Sequence, residues 1–341
     1  MLLRFIAPIF FSFIFQESTD LEGLNTKKAD QEAQFVWGFY AHRLINKTAV
    51  FLLPQEMLGF YKGNIRYLEE NAVNPDARRY LIEGEAPRHY IDLDLYKEEA
   101  HGKIPTFWKD AVEKYTEDSL HNHGIVPWHI YNMSFWLTKA FEENDPEKIL
   151  RYSAEIGHYI ADANVPLHTT SNYNGQLTGQ KGIHGLWESR LVELYSNGFD
   201  LYFEDAEYHE NLQELAWSAV RNANAALDSV FSFESLATEK IGEDKKYNFE
   251  ERNSITVKAY SQKFCKQYAE LLDGMVERRL RASIKMVADV WFTCWVNAGQ
   301  PDLENLSSYK VSEEVAEQGK KERHSGKAKP LVKSRSHEVI E

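Results

Sequence analysis

Three short stretches of the 341-residue chain gather side chains able to hold a metal ion: His158-Tyr-Ile-Ala-Asp162, Val165-Pro-Leu-His168 and His184-Gly-Leu-Trp-Glu188. Residues four apart on a helix lie one turn apart on the same face, so His158 aligns with Asp162 and His184 with Glu188. Imidazole nitrogens and carboxylate oxygens suit zinc, and catalytic zinc sites keep one position for water. Two such pairs framing a third histidine point to a site for zinc. For the first pair an exposed polar face is an equal alternative, because the apolar stripe Ile149, Tyr152, Ile156, Ile160 and Ala163 lies on the opposite side of that helix. His184 and Glu188 instead share a stripe with Leu191 and Tyr195, and a buried carboxylate there needs a partner such as a metal.

Thiolates are poor candidates. Cys265 and Cys294 are the only cysteines and lack the paired spacing of a zinc ribbon or finger, so free thiols in helices are expected. Ligands must come from the carboxylates, the backbone and the 12 histidines. His101, His121, His123, His129 and His209 read as surface or core residues, and His324 and His337 lie in a polar tail.

Farther upstream, Trp37-Gly-Phe-Tyr-Ala-His42 and the run from Asp76-Ala-Arg-Arg79 to His89-Tyr-Ile-Asp92 extend the pattern. Together with the first three stretches, residues 37–300 resemble the zinc-dependent phospholipase C and single-strand-specific nuclease family. The resemblance implies an all-helical fold holding up to three zinc ions. It implies Asp76, His89, His158 and Asp162 as ligands of one zinc, and His168, His184 and Glu188 as ligands of a second. The third would take His42, Asp162 and Trp37, the tryptophan through its amino group and carbonyl oxygen, which requires processing before Trp37.

The same resemblance bears on substrate. The short Trp37 to His42 spacing and the Asp76 to Arg79 pair are nuclease-like, which implies Arg79 on the scissile phosphate and Asp76 orienting or deprotonating the attacking water. Tyr90 and Asp92 match positions that stack on and hydrogen-bond a nucleobase, a mode that suits single strands. Read from the residues alone, Tyr90 could be packing and Asp92 a cap or surface charge. Glu188 is phospholipase-like, and Ala77 stands where choline-specific phospholipases carry a tyrosine. The expectation is a zinc-dependent phosphodiester hydrolase leaning to a single-strand-specific nuclease. The alternatives are a phospholipase C and a non-catalytic helical binding module that keeps metal for stability.

Positioning these residues falls to helices. A composition of 43% hydrophobic residues supports a substantial core, and helical periodicity dominates from Trp37 to about Asn305. Helices are expected over roughly 37–52, 54–70, 107–120, 128–142, 184–196, 209–231 and, with interruptions, 250–298. Asp145 followed by Pro146 marks a further start, for a helix reaching about Ala163. Residues 1–16 read as a signal peptide, which implies a secreted or periplasmic protein, since the apolar run is shorter than a membrane span. Residues 17–36 read as a linker, 37–306 as one all-α phosphoesterase domain, and the polar segment 307–341 as a disordered tail. The net charge of −13 argues against stable binding of duplex DNA, which depends on Lys and Arg neutralising phosphates.

Overall fold

The computed structural model describes residues 39–100, 104–252 and 255–325. Helix accounts for 70% of them and strand for 4%, an all-α fold. The expected signal peptide, the linker, Trp37, His101 and residues 326–341 lie outside the described residues. In chain order the helices are α1 (Phe39–Ala49), α2 (Gln55–Gly63), α3 (Ile65–Asn71), α4 (Asn74–Arg78), α5 (Trp108–Tyr115), α6 (Glu117–His123) and α7 (Val126–Glu142). They continue with α8 (Pro146–Ala163), α9 (Leu191–Tyr195), α10 (Leu212–Asn224), α11 (Leu227–Ile241), α12 (Gln262–Leu272), α13 (Met275–Asn297) and α14 (Glu313–Ser325).

The Asp145–Pro146 signal starts α8 as expected: the Asp145 carboxylate accepts from the Lys148 amide at 3.1 Å. The helix then runs through the middle of the core, packed by α7, α13, α1 and α3. Ile149, Leu150, Ala154, Ile156, Ile160 and Ala163 are all fully buried. Polar groups tie the neighbours to its backbone. The Trp291 indole donates to the Ser153 carbonyl at 3.1 Å, and the Asn46 amide donates to Ala154 O at 2.9 Å and Leu68 O at 3.3 Å. Asn46 comes this close because position 157 is glycine: a Cβ there would lie 2.0 Å from Asn46 Oδ1. Helix α1, which carries His42, is thereby drawn onto the part of α8 that carries His158.

Several expected helices are broken. The 54–70 segment divides at Asn64, 107–120 at Thr116 with φ of 66°, and 209–231 at Ala225. The start of the 250–298 segment is an antiparallel hairpin, β1 (Tyr247–Arg252) with β2 (Ile255–Tyr260), in the register Tyr247 opposite Tyr260. Its second strand alternates, with Val257 and Ala259 buried and Thr256 and Lys258 exposed, the period of a half-buried strand.

The disorder expected from residue 307 does not hold for the described part of the tail. Tyr309 O accepts from the Asn64 amide at 3.1 Å, and α14 lies against α3 and α4. Its docking is polar: Glu322 meets Arg78 at 2.7 Å, and Arg323 meets Asn71 Oδ1 at 2.9 Å. A forecast from apolar content alone overlooks a helix held by charge.

No helix among the described residues is long and apolar enough to cross a membrane.

Candidate metal centre

Helix α8 is the spine of the site. His158 and Asp162 occupy its last turns and are 0% and 1% exposed, which removes the exposed-face alternative for this pair. Around them stand His42 from α1, Asp76 from α4, His89 at the end of the 3₁₀ turn Ala86–His89, and His168 in the 3₁₀ turn Pro166–Thr169. Glu188 comes from a π-helical turn, Gly185–Arg190, that His184 precedes. Turns of this kind are frequent at functional sites.

Five imidazoles and three carboxylates form three groups whose donor atoms lie within 4.8 Å of one another: His42, His158 and Asp162; Asp76, His89 and His158; His168, His184 and Glu188. Asp162 joins them. Its Oδ2 lies 2.9 Å from His89 Nδ1 and 3.3 Å from His158 Nε2, while its Oδ1 lies 3.5 Å from His42 Nε2 and 3.9 Å from His168 Nε2. Glu188 also bridges, with Oε2 at 2.7 Å from His184 Nε2 and 3.4 Å from His168 Nε2, and Oε1 at 3.3 Å from His42 Nε2. Donors about 2.0 Å from a tetrahedral ion are roughly 3.3 Å apart, so these separations are compatible with a ligand shell.

The ring orientations fit a cation as well. His158 Nδ1 lies 2.8 Å from Ala72 O, His168 Nδ1 2.5 Å from His89 O, and His184 Nδ1 3.1 Å from Tyr173 O. A carbonyl only accepts, so each of these Nδ1 atoms carries a proton, and each ring turns its Nε2 inward, where it is the atom that can ligate a cation. There the inward nitrogens meet carboxylate oxygens and one another: His158 Nε2 is 3.0 Å from His89 Nδ1. So many inward acceptors require positive charge among them, supplied by a metal ion or by extra protons. The described residues therefore contain buried His/Asp/Glu groups able to hold metal ions.

Electrostatics favour the ligand protonation state at Asp162, Glu188 and His89, while His42 and His168, against the effect of burial, are pushed toward protonation by the carboxylates beside them. Burial works to raise the pKa of Asp162 and Glu188, but the imidazoles around them hold both well below the usual carboxylate range. Burial, together with the Arg79 charge, pushes His89 down to about 4 and keeps it neutral. Burial works to lower His168 too, yet Asp162 and Glu188 carry it up to about 9, so without a cation it holds a proton that metal binding displaces. Beside His42 and Glu188 lies a cavity of about 30 Å³ bordered by Trp187, Asn164 and Arg279, space for one or two waters.

Arg79 follows α4 directly and is buried. Its Nη1 donates to Asp76 Oδ1 at 3.1 Å, while its Nε and Nη2 make no hydrogen bond. Tyr90 and Asp92 sit in the loop after His89, pinned by Val126 N to Tyr90 O at 3.1 Å and Asp92 N to His123 O at 2.7 Å. Gly124 permits this approach, since a Cβ there would lie 2.2 Å from Tyr90 O. Tyr90 is 7% and Asp92 1% exposed, so neither offers the open face expected of a base-stacking platform.

Of the remaining histidines, His129 is buried edge-on to Tyr159 at 4.4 Å between centroids, and His209 pairs with Asp289 at 3.2 Å. The supporting residues Glu85, Arg78 and Tyr159 escape a motif-based reading, although Glu85 stands four residues before His89, the spacing that marks the ligand pairs. The carbonyls of Ala72, His89 and Tyr173 have no sequence signature at all.

The fold and site define a helical protein with a buried centre of three His/Asp/Glu groups able to hold metal ions. Neither a protein-family model nor a curated protein matches the chain.

Proposed function

We propose that the chain is a zinc-dependent phosphodiester hydrolase acting on single-stranded nucleic acid. The observation that supports this reading most is a buried arginine next to the donor groups, tied to Asp76 by one nitrogen while its other two nitrogens make no hydrogen bond. Zinc held by the three groups supplies Lewis acidity and lowers the pKa of a water.

The chain's own residues divide the remaining work. Arg79 presents a planar fork that matches two phosphate oxygens, and Asp76 fixes its direction. Burial makes that charge more effective than it is in water. Asp76 is the least buried donor, its side chain 19% exposed. In this proposal Asp76, beside Arg79, orients or deprotonates the attacking water. His158, His168 and His184 have committed their Nδ1 protons to carbonyls and serve as ligands. In this proposal the chain is exported and processed before Trp37, whose amino group and carbonyl oxygen would then join His42 and Asp162 in holding a third ion, as the family resemblance implies.

Phospholipase C activity is the second reading, favoured by Glu188 and by the burial of Tyr90 and Asp92. The test uses chelated and zinc-reloaded protein against a single-stranded oligonucleotide and phospholipid vesicles in parallel. Cleavage of the oligonucleotide that returns with zinc is expected. Cleavage of lipid alone rejects the nuclease reading, and full activity in metal-free protein rejects both. A loaded protein that turns over neither, and melts lower once chelated, is a metal-stabilised binding module.

A further inference from the structure

Asp76 is held by a helix too short to hold itself. Helix α4 has five residues, and isolated helices of that length are not stable in water, so tertiary contacts must fix its position. Those contacts come from α8 on one side and α14 on the other.

At the centre of the contact is Arg78, a buried guanidinium facing three carboxylates. Its Nη1 donates to Glu322 at 2.7 Å and Glu155 at 2.9 Å, and its Nη2 lies 3.7 Å from Glu85 Oε1. Glu85 is 1% exposed and stands directly behind a ligand: Oε1 lies 3.8 Å from His89 Nε2 and also accepts from the Tyr159 hydroxyl. His89 Nε2 makes no hydrogen bond of its own, so Glu85 is the anion that faces the outer side of this ring. Carboxylates behind a ligating imidazole fix its orientation and raise its basicity.

The remainder of the tail is fitted to the same place. Asn71 Oδ1 accepts from Arg323 Nη1 and from Asn74 Nδ2, each at 2.9 Å, which links the tail to the first residue of α4. Position 319 is glycine, and a Cβ there would lie 2.2 Å from Asn71 Oδ1. Ahead of α14, Lys310 Nζ donates to Gly63 O at 2.5 Å and Val311 N to Asn64 Oδ1 at 3.3 Å.

We infer that α14 is a brace for the group formed by Asp76, His89 and His158: Glu322, acting through Arg78 and Glu85, is a positioning residue for the metal ligands Asp76 and His89. The inference rests on the metal-binding reading above. The tail's contacts fall on the helices that carry Asn71 and Arg78 and not on His168, His184 or Glu188, so the larger loss is expected at the first group and the second serves as an internal comparison.

The test compares the unaltered chain, Glu322→Gln, a chain ending at Ser312, and Glu317→Gln as an exposed control on the same helix. Zinc is titrated out with a chromophoric chelator, melting temperature is recorded alongside, and anomalous scattering from crystals shows which group has emptied. In Glu322→Gln one zinc equivalent is expected to weaken about 10-fold, the lower end for residues behind a ligand, with the loss at Asp76 and His89. The truncated chain should lose more, and Glu317→Gln nothing. Unchanged zinc titration in Glu322→Gln overturns the brace, even where its melting temperature falls, since a merely structural contact moves melting alone. An unaltered chain that takes up no zinc overturns the metal-binding reading itself.

Discussion

Replacing Asp162 with Asn tests the bridge at the heart of the site. The change keeps the side chain's size but turns one of two inward oxygens into an N–H donor. Asp162 Oδ1 faces His42 and His168 and Oδ2 faces His89 and His158, so an amide can offer an acceptor to one side only. Residues merely behind a ligand cost about 10–100-fold in affinity, so losing a direct ligand weakens at least one ion by about 100-fold or more. At zinc 100 times its dissociation constant, one bound ion stabilises the fold by about 2.7 kcal/mol. A hundredfold weaker site under the same conditions contributes about 0.4 kcal/mol, a loss of about 2.3 kcal/mol. At roughly 2 °C per kcal/mol for a chain of this size, the zinc-induced rise in melting temperature shrinks by about 5 °C. Scanning each protein with zinc and with chelator isolates this increment from any change in the metal-free fold. The part of the increment due to His168, His184 and Glu188 should persist in Asp162→Asn. An unchanged increment refutes the assignment of Asp162 as a shared ligand.

Arg79→Lys is expected to lower kcat about 100-fold while zinc content, measured by elemental analysis, stays the same, since the lysine cannot present a fork to the phosphate. Gly157→Ala forces a methyl group to within 2.0 Å of Asn46 Oδ1, and urea unfolding should show a loss of about 1–3 kcal/mol. His129, pushed down to about 3 chiefly by burial, binds its proton in the unfolded chain near pH 6.5 but not in the folded one. Its contribution is therefore complete above pH 6.5 and declines as pH falls toward about 3, at about 1.4 kcal/mol per pH unit. Chemical unfolding of His129→Phe between pH 4 and 6 should show a slope shallower by about one proton, and an identical slope would show that His129 titrates normally.

What could be read in advance depended on how local each determinant was. The Asp145 cap with Pro146, and the i,i+4 pairs on α8 and around Glu188, are written within a few residues, and the structure brings those side chains together. Their burial was less legible for His158 and Asp162, because α8 is packed by α1 and α3 as well as by α7 and α13, so the side away from its apolar stripe is covered too. The turn around Glu188 is π-helical rather than α-helical, yet it still sets His184 Nε2 2.7 Å from Glu188. The hairpin at Tyr247–Tyr260 was hidden within a long, mostly helical pattern, and only Ile255 to Tyr260 carried a strand's alternation. The docking of α14 was invisible for another reason: its anchors, Arg78 and Asn71, are more than 240 residues away in sequence.

His89 has two jobs that belong to different groups. Its Nδ1 points at Asp162 and His158, while its carbonyl oxygen holds His168 Nδ1 at 2.5 Å, and two residues later Ile91 N donates to His168 O at 2.9 Å. Ordering this strip of backbone for one ion also orders the ring that receives another. Filling the first group thus removes part of the entropic cost of filling the second, and by linkage the reverse holds equally. Under the proposed metal-binding reading, the two groups share this strip, so filling one is expected to tighten the other modestly while each can still be emptied separately.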